Sequence, residues 1–409
     1  MNNNKRKWAG LLICGMIAAT TGQISAADLP AVAATAESPR PTGVSVPVAA
    51  PVTVPVTWKL GGFFQFDQSI LSETGNTSDS SFGLKSVRTD LAGTVADAVG
   101  YRIHVEYSGG TVKLLDGHAD LPIAPSWKLR AGKFKGPVGI ELLQAPTDIT
   151  FIDFAYSTYF TPNRDTGLMA YGPVAGWDTQ IALLAGASDY GSLDKDSDSG
   201  RSLVIRTIGK PFADLKGLDV GFAASTERRN GSGSSSQLST YRGIGRPTLF
   251  SYSSGVYANG TFYRLAPQFT YYSGPFGLLG EYVVSGQDIS NGSSSATVVH
   301  GAWQLQAQYY LTGESASYKY VGPKSAYNPE KGQWGAWQLA ARVGQAQFDG
   351  AAFSFGSGYK ASLETTVGLN WIWSDSTKWF LNAQNVWNTT VAGTTSSVAY
   401  VDLRVQVKY

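Results

Sequence analysis

Short segments in which apolar and polar residues alternate make up most of the chain from Trp58 to the C-terminus. In the last of them, 401–409 with the sequence VDLRVQVKY, the odd positions are apolar and the even positions are polar. The same alternation recurs in 101–107, 303–312 and 363–373. Because successive side chains of a strand point to opposite sides, each segment predicts a β-strand with one apolar and one polar face. Strands of this kind fit a soluble sandwich or barrel as well as a membrane barrel.

Two features favour a membrane barrel, whose apolar faces meet lipid and whose polar faces line water. The polar faces carry Arg, Gln, Asp and Glu on strand after strand. Aromatic residues mark strand ends, and Trp379 and Trp387 share a face, about 20 Å apart across the membrane at a rise of ~3.3 Å per residue and a tilt of ~40°. We therefore predict an all-β fold, an antiparallel transmembrane β-barrel that is closed because lipid offers no hydrogen-bonding partner to an open edge.

The alternating segments number sixteen, an even count as in bacterial barrels. We place the strands at 57–67, 83–95, 100–108, 111–121, 126–134, 166–174, 176–188, 201–210, 218–227, 260–271, 276–286, 299–312, 334–348, 361–373, 378–389 and 398–409. Short connections follow even strands, and the longer, Ser- and Gly-rich connections 69–81, 189–200, 228–259 and 286–298 follow odd strands, as expected for periplasmic turns and external loops. Segment 313–333 is long but follows an even strand. Either a strand is miscounted or this periplasmic segment folds inward.

The stretch from Arg130 to Tyr171 departs furthest from the alternation. It leaves a strand through basic residues and re-enters the pattern near Gly167. Loops of this length in compact structures are usually functional or disordered, and this one is rich in Phe, Ile, Leu and Tyr. We therefore expect it to pack inside the barrel as an inward-folded constriction loop.

The N-terminal residues have the composition of an export signal. Residues 1–27 combine a basic start, an apolar run and small residues before a cleavage site, which is typical of a secretory signal peptide. Its removal takes away Cys14, the only cysteine, and three of the 32 Lys and Arg residues, so the net charge falls from +2 to −1. Residues 28–56 are rich in Pro, Ala and Val, which predicts an extended periplasmic tether before the barrel at 57–409. No nucleic-acid partner is expected of such a chain.

Five motifs follow one another along the alternating region. They are AGKFKGPVGIE at 131–141, TPNRDTGL at 161–168, YYLTGE at 309–314, WGAWQLAAR at 334–342 and VGLNW at 367–371. They resemble the G-x-F-K-x-P-F-G-L-E, P-x-R-x-x-G-V, Y-x-L-T-G-E, G-A-W-E-x-A-A-R and G-L-N-W signatures of the phosphate-selective porin O and P family. The resemblance covers essentially the whole barrel, and the combination is more specific than any one motif.

The resemblance implies a sixteen-stranded barrel in the outer membrane of a Gram-negative bacterium, usually a homotrimer, with an anion path lined by Arg and Lys. It also implies that loops after the fifth and ninth strands and a periplasmic segment fold inward. Two departures concern the entrance of the long loop: Gly136 precedes Pro137, and Val138 stands where the family usually has Phe. Phosphate selectivity is therefore not carried over with the fold.

Basic residues near the long loop and after the ninth strand are the candidates for the anion path. A guanidinium matches two oxygens of a phosphate at once, and conduction needs several weak binding points. The candidate anion-binding residues are Arg130, Lys133, Lys135, Arg164, Arg228, Arg229, Arg242 and Arg246. The alternative is that these residues brace the wall by pairing with acids, of which Asp148, Asp153 and Asp165 lie in the same loop.

Other candidate chemistry is less specific. Residues 194–200, DKDSDSG, place acids as the start of a calcium loop does but lack its Gly and Glu, so a solvated external loop is expected. His104, His118 and His300 lie on or beside separate strands without ligand spacing, which predicts polar lumen residues rather than metal ligands. An outer-membrane hydrolase using a His104 or His118 dyad, and a surface adhesin or receptor, are the alternatives to a porin.

Together these patterns predict a porin, not an enzyme, that lets small anions diffuse passively through the outer membrane, with phosphate as a candidate. Steric selection is expected from 136–163, and electrostatic selection from basic residues of the wall and loops. The expected partners are small anions, outer-membrane lipid and two further copies of the chain, and no cofactor is expected.

Overall fold

A computed structural model describes residues 54–73, 79–196, 200–243 and 247–409. The predicted signal peptide, 1–27, and nearly all of the predicted tether lie outside the described residues. Both assignments therefore remain predictions.

The described residues form sixteen long strands that close into one antiparallel barrel. In chain order the strands are β1 (Val56–Glu73), β2 (Asp79–Val95), β3 (Val99–Glu106), β4 (Lys113–Ala124), β5 (Trp127–Phe134), β6 (Asp165–Val174), β7 (Trp177–Leu184), β8 (Ser202–Gly209), β9 (Leu218–Asn230), β10 (Tyr257–Ser273), β11 (Phe276–Ser290), β12 (Ser295–Tyr310), β13 (Ala336–Gln347), β14 (Ala361–Ile372), β15 (Thr377–Thr389) and β16 (Thr395–Lys408). Each strand pairs with its neighbours in sequence, and β16 closes the barrel on β1. The predicted fold class and strand count are confirmed.

Side chains along the strands alternate between the lumen and the outer surface. In β14 the even positions are buried and the odd positions are more exposed. β15 has the same pattern, with Trp379 and Trp387 both on the outer face. Exposed leucines such as Leu305 and Leu381 lie on this outer surface, as the apolar faces of the sequence predict. No helix among the described residues is long and apolar enough to cross a membrane.

Tight turns join several even strands to the odd strands that follow, as predicted. The hairpin of β6 and β7 turns through Ala175 and Gly176, whose φ angles are 50° and 83°. Positive φ at both central residues is what a type I′ hairpin turn requires, and the twist of such a turn matches that of the strands.

The predicted loops 69–81 and 286–298 are wrong in extent, because the flanking strands continue into both. β11 and β12 leave only 291–294 between them. Asn291 closes this turn, since its side-chain oxygen accepts the backbone N–H of Ser294 at 2.8 Å. One face of this hairpin is exposed at Thr297, while Ile289 and Val298 on the other face are buried in the hydrophobic cluster of the lumen.

External connections cover one side of the lumen. The connection after β9 carries two short strands, Tyr241–Arg242 and Thr248–Tyr252, which pair with each other. Thr248–Tyr252 also pairs with Gly356–Gly358 from the connection after β13. Below them, the stacked rings of Phe250 and Phe348 lie 5.3 Å apart within a buried aromatic cluster. This cluster packs against β12, so it occupies the external half of the lumen on that side.

Candidate functional site in the lumen

Residues 135–164, called the inner loop below, connect β5 to β6. The loop contains one turn of α-helix, Ile140–Leu143, and a 3-10 helix, Tyr156–Phe160. Its apolar side chains are buried, and Val138 and Phe160 have 0% and 1% of their surface exposed. The apolar residues noted in the sequence therefore pack against the interior of the barrel rather than facing water.

Inward-facing polar side chains of β10–β16 satisfy the backbone of the inner loop. Its carbonyl groups accept hydrogen bonds from Gln268 (to Val138, 3.0 Å), Gln406 (to Thr147, 3.1 Å), Lys378 (to Ile149, 3.2 Å), Asn370 (to Thr150, 2.8 Å), Arg404 (to Ile152, 2.8 Å) and Arg342 (to Asp153, 2.8 Å). Its N–H groups donate to Glu281 (from Ile140, 2.9 Å), Asn382 (from Ile152, 2.8 Å) and Glu364 (from Tyr156, 3.3 Å). An irregular segment away from bulk water needs such partners, because each unpaired backbone group costs free energy.

A buried ion-pair cluster holds the middle of the inner loop. Arg342 of β13 lies 3.5 Å from Glu141 of the loop and 3.5 Å from Glu364 of β14. Glu141 also accepts hydrogen bonds from the Ala155 N–H at 2.9 Å and the Thr158 hydroxyl at 2.7 Å. Removal of one member would leave a buried charge without its partner, so the cluster favours a single position of the loop.

The long periplasmic segment after β12 folds partly into the lumen, and the strand count is correct. The Tyr318 hydroxyl donates to the Ile140 carbonyl at 2.5 Å, and the Gln144 side chain donates to the Tyr318 carbonyl at 2.7 Å. Further along the segment, the Tyr327 ring stacks on Trp373 with ring centroids 4.9 Å apart. The part near Tyr318 therefore contacts the inner loop, while Tyr327 belongs to the aromatic cluster at the periplasmic end of β14.

Residues 185–193, called the second inner loop, fold inward, so the external connection predicted at 189–200 begins with a buried residue. Asp189 is buried and accepts hydrogen bonds from Arg264 at 2.6 Å, Ser285 at 2.6 Å and Tyr241 at 2.8 Å. The Tyr190 N–H donates to the Thr161 carbonyl at 2.7 Å, which joins the two inner loops. A buried Arg264 inside the barrel needs a counter-charge, and Asp189 supplies it by drawing this loop inward.

A cavity of about 830 Å³ lies between the inner loop and strands β1–β5. The basic residues that line it in the described part of the chain are Lys85, Arg88, Lys113, Lys133, Lys135, Arg164 and Arg404. The acidic residues that line it are Asp67, Glu106, Asp153 and Asp194. The cavity therefore has a basic excess although the full chain has a net charge of only +2.

Several basic residues of the cavity are paired with acids of the wall. Arg88 of β2 donates to Glu106 of β3 at 2.7 Å. Lys85 lies 3.5 Å from Asp153 of the inner loop. These pairs agree with the structural alternative, in which inward cations brace the barrel.

Lys133 and Lys135 differ in their partners. Lys133 contacts the exposed carboxylate of Asp194 and donates to the Leu114 carbonyl at 2.8 Å. Lys135 donates to the backbone carbonyls of Leu142 at 2.6 Å and Gln144 at 2.5 Å, which carry no net charge. Burial, reinforced by the nearby Arg164 guanidinium, lowers the pKa of Lys135 to about 7. An anion beside Lys135 would therefore favour its protonated form.

Arg164 closes the inner loop and retains unused hydrogen-bonding capacity. Its Nε donates to Asp116 at 3.0 Å and its Nη1 donates to the Asn163 side chain at 2.9 Å. Its Nη2 is buried and has no hydrogen-bond partner among the described residues. Asp116 is also shared with His104, whose Nδ1 lies 3.1 Å away. The guanidinium is thus only partly neutralised within a cavity that it lines.

The other predicted anion-binding residues lie elsewhere. Arg130 is bound to Asp120 of β4 by two hydrogen bonds of 2.7 Å and 2.9 Å, and is a brace of the wall. Arg229 contacts Glu227 and lies 3.7 Å from the centre of the Phe262 ring. The remaining positions are Arg228 and Arg242, which are exposed, and Arg246, which lies outside the described residues. Of the eight candidates, the cavity therefore brings together Lys133, Lys135 and Arg164.

The acids of the inner loop have separate roles. Asp153 faces Lys85 in the cavity. Asp165, at the start of β6, accepts the backbone N–H groups of Gly186 at 3.0 Å and Ala187 at 2.7 Å and so positions the second inner loop. Asp148 accepts from the Thr147 hydroxyl at 3.1 Å. Only Asp153 among them lines the cavity.

Sequence reasoning did not select Lys85, Arg88, Lys113 or Arg404 as site residues. Arg88 and Arg404 occupy polar positions of alternating strands, which was a usable signal for the lumen face. That signal does not distinguish them from other inward polar residues. Their position in the cavity depends on where the inner loop lies.

The three histidines lie within strands; His104 and His300 are buried, and 4% of the His118 side chain is exposed. The described residues contain no cluster of three His, Cys, Asp or Glu that could hold a metal. His104 is bound to Asp116, and the Nε2 of His118 lies 3.9 Å from Asp120. The calcium-like motif is only partly described, and its first acid, Asp194, contacts Lys133.

A closed sixteen-stranded antiparallel barrel with a polar, water-lined lumen defines the outer-membrane porin class. The chain belongs to the phosphate-selective porin O and P family, which matches residues 56–409. It is therefore a porin of the Gram-negative outer membrane. No curated protein matches the chain significantly.

Solved porin structures share the fold at low sequence identity. The outer membrane channel DcaP of Acinetobacter baumannii is 14% identical, with a TM-score of 0.57 over 87% of this chain and 97% of that chain. An anion-selective porin from Comamonas acidovorans is 10% identical, with a TM-score of 0.56 over 87% and 100% of the two chains. A trimer form of OmpT from Vibrio cholerae is 11% identical, with a TM-score of 0.55 over 87% and 99%.

Proposed function

We propose that this porin conducts small anions by passive diffusion through the cavity between the inner loop and β1–β5. The observation that carries the proposal is the charge of that cavity, where seven basic residues face four acidic ones. An aqueous path with low-dielectric walls concentrates ions of the opposite sign, so this excess favours anions over cations. The inner loop supplies the steric limit, because it occupies the lumen on the opposite side.

Lys135 and Arg164 are proposed as the central binding points of the path. Both lie on the inner loop and line the cavity. Lys135 has backbone carbonyls as its partners, and Arg164 shares its carboxylate partner, Asp116, with His104. Lys133, at the end of β5, is proposed as an outer binding point, because its partner Asp194 is exposed and can move aside. Several weak points in series let an anion enter and leave, whereas one strong point would trap it.

Phosphate is proposed as one of the anions that use this path. A tetrahedral oxyanion can contact the Lys135 ammonium and the Arg164 guanidinium, which both line the cavity, with different oxygens. Chloride has no such directional contacts. Phosphate should therefore occupy the path for longer and interrupt a chloride current.

The test is single-channel recording in a planar bilayer with unequal potassium chloride concentrations. A reversal potential that indicates chloride preference supports the proposal, and a preference for potassium would contradict it. Addition of phosphate should reduce the chloride current, and Lys133→Ala combined with Lys135→Ala should weaken this block. Unchanged block in the double variant would show that phosphate binds elsewhere.

Export by the signal peptide at 1–27, the tether at 28–56 and assembly as a homotrimer are further parts of the proposal. The trimer form of the OmpT structure supports the assembly. Cross-linking of the protein in native outer membranes should give a band of three chains, and a band of one chain would contradict it. Sequencing of the mature N-terminus tests cleavage after Ala26 or Ala27.

A further inference from the structure

The cavity beside the inner loop has an aromatic part as well as a charged part. Phe154, Tyr159 and Tyr190 line it together with Lys135 and Arg164. The rings of Tyr159 and Tyr190 lie 4.5 Å apart. Tyr159 has 7% of its surface exposed, but Tyr190 has 36%. Tyr190 therefore presents ring surface to a space whose charged groups are mainly basic.

The position of Tyr190 is fixed by its surroundings. Its φ is 54°, in the left-handed region that bulky side chains rarely adopt. Its N–H is bound to the Thr161 carbonyl, and the preceding residue, Asp189, is held by Arg264. A conformation of this kind persists only where neighbouring contacts impose it, and such conformations concentrate at ligand sites. The second inner loop thus holds one aromatic ring at the side of the ion path.

We propose that the path prefers organic anions with a planar apolar body, such as aromatic carboxylates, over compact anions, and that Tyr190 sets this preference. The proposal rests on the anion path proposed above. The carboxylate of the solute meets Lys135 and Arg164, and its ring lies against the exposed face of Tyr190. A ring against an aromatic side chain gains contact that a small anion cannot make. A cavity of about 830 Å³ has room for such a solute with its remaining water.

The test compares benzoate with acetate as blockers of chloride current in single-channel recordings. The two anions carry the same charged group and differ in the ring. Benzoate should block at a concentration roughly three- to tenfold lower than acetate, which corresponds to the usual strength of an aromatic contact. Equal blocking concentrations in the wild-type channel would overturn the proposal.

Two variants and a control distinguish the effect of the Tyr190 ring on block from an effect of the loop that holds it. Tyr190→Asn removes the ring, while asparagine tolerates the left-handed backbone, so we expect it to abolish the benzoate preference without displacing the loop. Tyr190→Phe retains the ring and should retain the preference. Tyr107→Asn changes an exposed tyrosine that does not line the cavity and should have no effect. Unchanged benzoate preference in Tyr190→Asn would show that the ring is not responsible.

The same recordings distinguish a failure of this proposal from a failure of the anion path on which it rests. Chloride preference together with equal block by benzoate and acetate would retain the anion porin and remove the role of Tyr190. A preference for potassium would instead contradict the anion path itself. Unheated gel mobility of each variant reports whether the barrel has folded, and proteolysis of the folded barrel reports whether the second inner loop stays in place.

Discussion

Arg404 of β16 donates two hydrogen bonds of 2.7 Å to Asp67 of β1, across the seam where the barrel closes. Its third nitrogen, Nη1, donates to the Ile152 carbonyl of the inner loop at 2.8 Å. One buried side chain therefore joins the first strand, the last strand and the inner loop.

Replacement of this side chain should affect closure and conductance together. In Arg404→Gln, Asp67 loses its charged partner and the Ile152 carbonyl loses its donor. Truncation of one member of a buried ion pair costs about 3–5 kcal/mol, and the lower part of this range applies because Asp67 is partly exposed. We expect a lower unfolding midpoint in urea and noisier single-channel currents. Wild-type values for both would mean that the seam does not depend on this pair.

The anion preference should depend on pH through Lys135. Its pKa is lowered to about 7, so its charge is present below this pH and is lost as the pH rises through it. The chloride preference should therefore fall between about pH 6 and about pH 8, a range in which ordinary Lys and Arg side chains do not titrate. Lys135→Arg should keep a high, constant preference, and Lys135→Gln a low, constant one. Reversal potentials across this range provide the measurement, and a flat wild-type profile would contradict the assignment.

The glycine inserted at the loop entrance should be required for the packing of the inner loop. A Cβ added at Gly136 would lie 2.7 Å from Cγ of Pro162, so the entrance and the exit of the loop touch at this point. Gly136→Val should separate them, lower stability by about 1–3 kcal/mol and change single-channel conductance. Gly350→Val is the matched control, because a Cβ at Gly350 meets nothing within 4 Å. Equal conductance of the two variants would count against close packing at the entrance.

Arg130 should contribute to the wall and not to selectivity. The double variant Arg130→Gln, Asp120→Asn replaces both members of the pair with neutral residues. It leaves the net charge of the lumen unchanged and removes the two hydrogen bonds between Arg130 and Asp120. Partly exposed pairs contribute about 1 kcal/mol or less, so a small loss of heat stability is expected. The chloride reversal potential should stay at the wild-type value. A marked shift of that potential would place Arg130 in the ion path.

The sequence predicts the barrel well because a transmembrane strand repeats every two residues, and this local pattern sets both the strand and its orientation. It predicts strand ends less well, since 286–298 is rich in Ser and Gly although β11 and β12 stay paired as far as Ser290 and Ser295. Site residues are harder to predict from the sequence than strand ends. The pairs Asp189–Arg264 and Lys133–Asp194 join positions far apart in the chain, and no local pattern indicates which cation will find which acid.

The polar faces of β10–β16 hold the backbone of the inner loop, whereas those of β1–β5 surround the cavity. Substitutions in the two halves should therefore differ in their consequences over evolution. A change on β10–β16 disturbs the folding of the loop and would be selected against in most porins of this design. A change on β1–β5 alters the lining of the proposed ion path and leaves most contacts of the inner loop in place, so a new solute preference needs fewer compensating changes on that side.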